Sequence, residues 1–205
     1  MNNRNIIFKD VFGNDWNRLP KVMKQHYANR AFTKDRVTVE GVMDVELSLV
    51  AKVLAPLMSA FGILTPYGGK AVPVTVHFDS SLNDNTFSFN RIFRFEGKKA
   101  FHFISRMTPQ FGNEIVEFMK CGIGWHCEYL YDGKKVILKH KGYKIKLFGK
   151  ILPLPISIII GKGYAEEVAI DDETFKMYMD IQHPILGKIY SYQGVFKIKE
   201  VKLSE

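Results

Sequence analysis

Residues 87–95 read Phe87-Ser88-Phe89-Asn90-Arg91-Ile92-Phe93-Arg94-Phe95, an alternation that puts four phenylalanines on one face of an extended chain. The same period of two continues on both sides. Before it, Val72, Val74, Val76 and Phe78 alternate with Pro73, Thr75 and His77; after it, Phe101, Phe103 and Met107 share a face. Turn residues separate these runs at Asn83-Asp84-Asn85 and Glu96-Gly97, and recur at Asp132-Gly133 and Asp171-Asp172-Glu173, the pattern of antiparallel hairpins. Further strands are expected over residues 115–119, 123–131, 135–148, 163–170, 175–182 and 189–201. Eight or nine strands with one apolar and one wet face predict a strongly curved antiparallel sheet or an incomplete barrel, in a mainly β arrangement of the α+β class.

Helical spacing is confined to the first third of the chain. Residues 15–29 place Trp16, Leu19, Val22, Met23 and His26 or Tyr27 on one helical face, with Asp15 able to cap the first turn and Pro20 early in it. After a short strand, Leu47, Val50, Ala51, Leu54, Leu57, Met58 and Phe61 keep the i, i+3, i+4 pattern up to Gly62. This second helix is expected to cover the concave face of the sheet. Lys52 and Pro56 interrupt the apolar stretch 47–64, which therefore reads as a packed or interfacial helix and not as a membrane span. A helical part with one strand (1–64) and a sheet (71–201) together make a single domain over 1–205.

The composition agrees with this. In 205 residues, 46% are apolar and 24% charged, which excludes wholesale disorder and suffices for a core without disulfide staples. Aromatics at 13%, with 16 Phe and 9 Tyr, favour strands or an aromatic-lined cavity. Cys121 and Cys127 are too few for a disulfide framework or a structural zinc site, so they read as free thiols in a reducing compartment. The polar residues 1–10 resemble no export signal, and the expected location is the cytoplasm or the periphery of the inner membrane.

Strand phase singles out two charged residues. Arg91 falls in phase with Phe87, Phe89, Phe93 and Phe95, and Glu166 with Tyr164, Val168 and Ile170. Either both point inward and form an internal pair, or a bulge near Asn90 or Gly163 resets the phase and exposes them. A third feature is electrostatic. Between residues 134 and 162 lie eight lysines and no acidic residue, matching the whole chain's net charge of +8. The stretch is either the solvated face of a long hairpin or an anion-facing edge, with Lys139, Lys141, Lys144, Lys146 and Lys150 the candidate contacts. The apolar loop 151–160 beside it, broken by Pro153 and Pro155, suits an anionic membrane surface better than nucleic acid, for which no recognition signature is present.

Catalytic motifs are lacking. The six histidines (26, 77, 102, 126, 140 and 183) show no metal-ligand spacing, and no phosphate loop or nucleophile elbow occurs. In Trp125-His126-Cys127 the histidine takes the opposite face from its neighbours, and His183 precedes Pro184 in a hairpin connection, where a structural role is expected.

Several weak motifs, spread over nearly the whole chain, add up to a resemblance: Phe12-Gly13 with Leu19-Pro20, His26 with Arg30, Pro73-Val74-Thr75-Val76, Arg91 with Phe93, Ser105-Arg106, Gly142, Leu152-Pro153-Leu154-Pro155, Glu166, and His183-Pro184-Ile185-Leu186-Gly187 with Tyr190 and Gly194. On these residues the chain resembles the bacterial family catalogued as domain of unknown function 4166. Members often form the tail of longer proteins whose front half is similar to saccharopine-dehydrogenase-like nucleotide-binding domains, so the resemblance implies a standalone version here. The Lys-rich stretch is a departure from the family pattern. The resemblance implies one domain and supplies no reaction.

The expected function is a non-enzymatic binding domain for an apolar or lipid-like ligand, with no cofactor and no metal. Arg91 and Arg106 would meet the ligand's polar head, Arg91 preferentially because Arg106 shares the face of His102 and Ile104. Glu166, His26 and Tyr190 complete the candidate set. The alternatives are a small hydrolase- or isomerase-like enzyme using Glu166 and Arg91, with His26, in an internal pocket, and an interaction module that takes no ligand.

Overall fold

The computed structural model describes residues 4–60, 62 and 64–204. Phe61, expected on the second helix face, and the side chains of Leu57 and Met58 lie outside what is described. Eleven antiparallel strands follow one another: β1 (Arg36–Leu47), β2 (Gly69–Ser80), β3 (Phe87–Phe93), β4 (Phe101–Pro109), β5 (Glu114–Met119), β6 (Ile123–Tyr131), β7 (Val136–Leu147), β8 (Lys150–Leu154), β9 (Lys162–Ala169), β10 (Thr174–His183) and β11 (Gly187–Lys202). Their order is β6-β5-β4-β3-β2-β1-β11-β10-β9-β7-β8, and β7 also pairs with β6. That last pairing closes ten strands into a barrel and leaves β8 as an extra strand on the outer side of β7. The expected incomplete barrel of eight or nine strands is thereby corrected. Two strands fall outside the expected sheet: β1, read only as a short strand of the helical part because Gly41 interrupts its apolar face, and β8, which contains Pro153, tolerated in an outermost strand since its free edge needs no donor.

Close approach of β1 and β11 explains Gly41. A Cβ there would meet the Val195 carbonyl oxygen at 2.0 Å, so any side chain would push apart the two strands that join the start of the sheet to its end.

The N-terminal helix is also shorter than its periodicity suggests. Instead of one helix over 15–29, the chain forms α1 (Ile7–Phe12), a 3-10 turn (Gly13–Arg18) and α2 (Lys21–His26). Leu19 is extended at ψ 140°, as the residue before a proline prefers, and Pro20 opens α2. Asp15 caps nothing; its carboxylate takes Arg18 at 2.7 Å. These short helices insert Phe8, Phe12, Trp16, Val22, Met23 and Tyr27 into one end of the barrel, Phe8 and Phe12 packing on Tyr129 of β6 and His26 on Phe78 and Phe175.

The longer helix, α3 (Leu49–Ala60), takes the opposite end. Its start is held where Ser48 donates to Ile189 of β11 at 2.9 Å, and at its far side Gly62 approaches Lys120 in the β5–β6 turn. Twelve residues rise about 18 Å, enough to cross a small barrel mouth. It does not lie in the concave interior as the sequence suggests, because the N-terminal plug and the barrel's own aromatic rings fill that space. A one-turn helix, α4 (Ser157–Ile160), sits on the same rim between β8 and β9.

Candidate functional site

The barrel interior is apolar with two polar islands. The first is built on three neighbouring strands. Arg91 of β3 points inward among phenylalanines, in the phase its alternation predicts, and is 3% exposed. Its Nη2 donates to Ser105 Oγ of β4 at 2.7 Å and to the Glu117 carboxylate of β5, and Ser105 donates to the same carboxylate oxygen at 2.6 Å. Phe89 and Phe103 sandwich the guanidinium, with ring centroids 3.7 and 4.1 Å from Cζ. Such desolvated cation–π contacts are worth about 2 kcal/mol and hold the group flat. Nε of Arg91 is buried without an acceptor.

The second island lies nearer the plug. Tyr27 donates to one Glu167 oxygen, and His26 Nε2 stands 3.5 Å from the other. Burial and the adjacent Glu167 carboxylate push the Tyr27 hydroxyl well above its ordinary range, so it remains a donor. His26 Nδ1 has no partner. Two small cavities adjoin the islands. One of about 50 Å³ is lined by Arg91, Glu117, Trp125, Tyr190 and Tyr192 and reaches the α3 rim at Leu64 and Ile160; the other, of about 30 Å³, touches His26, Tyr27, Glu117 and Glu167. Both hold only a few waters, so side chains occupy most of the interior.

Tyr190 donates to or accepts from Thr65 at 3.1 Å, and burial raises its hydroxyl to about 12, while burial holds Tyr192 higher still. Trp125 links this cavity to the rim. Its Nε1 donates to His140 Nδ1 at 3.0 Å, and His140 Nε2 meets Ser157 Oγ of α4 at 3.0 Å. Burial and the nearby Lys162 lower the His140 pKa, which favours the neutral ring this chain of bonds needs. Gly163 lets the indole lie close, since a Cβ would stand 2.9 Å from it.

Of the five expected ligand contacts, the structure brings Arg91, His26 and Tyr190 into the barrel and leaves two outside. Glu166 does keep phase with Tyr164 and Val168, but that face is the outer wall, where Glu166 takes Lys135 at 2.6 Å and Tyr164 at 2.7 Å and borders an open groove of about 430 Å³. The inward residues of β9 are Gly163, where the Trp125 indole leaves no room for a side chain, Ala165 and Glu167, so apolar bulk does not mark the inner face. No Arg91–Glu166 pair forms, and the trio Arg91, Glu166 and His26 does not converge. Arg106 is exposed, 3.7 Å from Asp84. Glu117 and Glu167 are missing from the sequence reading, and Ser105 enters it only within the Ser105-Arg106 motif, not as a site residue.

The five candidate anion contacts divide as well. Lys139 and Lys141 are matched by Glu128 and Glu114 on the barrel wall, whereas Lys144, Lys146 and Lys150, toward the β7–β8 tip, have no carboxylate partner among the described residues. His126 Nε2 donates to the Glu114 carboxylate at 2.7 Å on the outer wall, and His183 Nδ1 accepts from the Ile185 and Leu186 amides, fixing the β10–β11 turn. Among the described residues no cluster of three metal-ligating side chains occurs, and no helix is long and apolar enough to cross a membrane.

A family model described as Domain of unknown function (DUF4166) matches residues 19–196. No curated protein matches the chain. Among solved structures, the dehydratase domain of the polyketide PpsC from Mycobacterium tuberculosis aligns at 6% identity with a TM-score of 0.18, over 92% of this chain and 84% of that one, a likeness too low to carry an argument. With its match over most of its length, the chain belongs to the DUF4166 family.

Proposed function

We propose that this DUF4166 member binds an apolar, lipid-like molecule by its polar end, with Arg91 as the anchor. The observation that carries the reading is a guanidinium 3% exposed, held in place through Nη2, whose Nε has no acceptor and which, with its partner Glu117, lines a cavity otherwise mostly of rings and aliphatic side chains. A ligand carboxylate or carbonyl oxygen would supply that acceptor, with the Tyr190 and Tyr192 rings alongside. The apolar part would run past Met119, Ile123 and Leu64 toward the rim. At about 50 Å³ the cavity admits only a polar head, so uptake of a chain requires α3 to swing aside. Little opposes that movement: of the described α3 side chains only Ala51 and Ala55 are buried.

The test is saturable binding of an anthracene-labelled fatty acid, with native mass spectrometry of the purified protein for a retained molecule. Wild type is expected to bind and the double variant Arg91→Met/Glu117→Met to lose binding. Removing both charges together avoids stranding one of them in the core. Equal binding by the two proteins, or none by wild type, overturns the reading.

A further inference from the structure

The rim crossed by α3 carries an apolar surface that ordinary solubility does not explain. An exposed helix normally turns its large apolar residues inward, yet α3 buries Ala51 and Ala55 and exposes Leu49 and Val53 to 80% each, with Val50 and Leu54 beside them. Helical spacing puts these four on one face, opposite the two alanines. Neighbouring elements of the same rim do likewise. Ile158 and Ile159 of α4 are each 74% exposed, and Ile185 in the β10–β11 turn is 84% exposed.

The β7–β8 turn adds a cost in backbone strain. Leu147 pairs with Lys150, so Phe148 and Gly149 form a two-residue connection with φ of 48° and 77°. Such turns favour Asn, Asp or Gly at both positions, because a left-handed backbone crowds a Cβ. This chain instead places a phenylalanine there with its ring wholly in solvent. Strain and exposure at one residue are tolerated where the residue acts on something outside the fold.

Charge identifies that something. Lys144, Lys146 and Lys150 on the β7–β8 ribbon, Lys52 on α3, Lys120 in the β5–β6 turn and Lys162 at the start of β9 belong to this end of the barrel, and none has a carboxylate partner among the described residues. Lysine, a hydrated point charge on an apolar stem, suits diffuse attraction to a charged plane more than bidentate recognition. A protein partner would call for paired acidic groups set against particular lysines, whereas an anionic bilayer supplies uniform negative charge and an apolar layer beneath it.

We infer that this end of the barrel docks on an anionic lipid bilayer, with the outer face of α3 and the Phe148 tip entering the interfacial layer and the unpaired lysines resting on the headgroups. The inference stands apart from the ligand reading, since it concerns the outside of α3 and needs no occupied interior.

Flotation with phosphatidylglycerol-containing and pure phosphatidylcholine vesicles at low and high salt tests it. Wild type is expected to float with the anionic vesicles, less so at high salt. Leu49→Asp/Val53→Asp, Phe148→Asp and Lys146→Glu/Lys150→Glu, all exposed and expected to leave folding intact, should each weaken flotation about tenfold or more. Arg91→Met/Glu117→Met should float as wild type does, which separates failure of the ligand reading from failure of this one. Three results overturn the inference: no flotation of wild type, equal flotation of wild type and all three surface variants, or light scattering that shows a dimer abolished by Leu49→Asp/Val53→Asp in a protein that ignores vesicles.

Discussion

Arg91 and Glu117 sit two strands apart inside the barrel and meet across Ser105, the residue of the intervening strand that bonds to both. Losing either partner strands a buried charge. Glu117→Ala or Arg91→Met alone is expected to cost about 3–5 kcal/mol in urea unfolding, and the double replacement by Met to recover most of it. Additive losses in the double variant would show that the pair is not coupled.

Acid should loosen the joint between the segment before β1 and Ser204 after β11. Asp35, fully buried, accepts from Arg30 Nε at 2.8 Å and from the Ser204 amide at 2.7 Å. Burial alone would raise its carboxyl, but these bonds outweigh it and bring the group to about 2. A folded value below the unfolded one means stability that is complete above about pH 4 and lost as pH falls toward 2, on the order of 2 kcal/mol. Measured against wild type, Asp35→Asn should flatten that part of the stability profile; an unchanged slope would count against the assignment.

Gly163 is expected to tolerate no side chain. Gly163→Ala puts a methyl against the indole of Trp125, with an overpacking cost of about 1–3 kcal/mol and a shift in tryptophan emission as the bond to His140 is disturbed. Unchanged emission and melting temperature would refute the close contact.

The two thiols should differ sharply. Cys127 is fully buried, and burial together with the Glu117 and Glu114 carboxylates pushes its thiol well above the ordinary value, while Cys121 in the β5–β6 turn is half-buried. A thiol reagent is expected to label Cys121 in the native protein and both residues only after unfolding. Labelling of Cys127 at the native rate of Cys121 would contradict its placement.

What the sequence discloses depends on whether a strand has one wet face. Arg91 stands out because it interrupts the run of rings Phe87, Phe89 and Phe93 on one face of β3. Glu117 does not, since four consecutive residues of β5 are buried on both sides and no alternation marks the inner one. On β9 the rule inverts: the Trp125 indole excludes a side chain at Gly163 and the next inward residue is the small Ala165, so the bulkier residues advertise the wrong face and Glu166 displaces Glu167 as the candidate. Closure itself is invisible from alternation, because it depends on the pairings β1–β11 and β7–β9, between strands that do not follow one another in the chain. The lysine run is plain in the sequence, yet its division is spatial, set by where Glu114 and Glu128 fall on neighbouring strands.

The two joints that complete the ring are unequal. β1 and β11 zip along their full length from Arg36 to Leu47, whereas β7 meets β9 only from Val136 to Lys139 before β8 takes over its edge. A cylinder with one short seam parts there first. Amide exchange is accordingly expected to be faster across residues 162–167 than along β11. A wall that yields along a seam gives the interior a second way to expand, sideways through β9 as well as upward past α3.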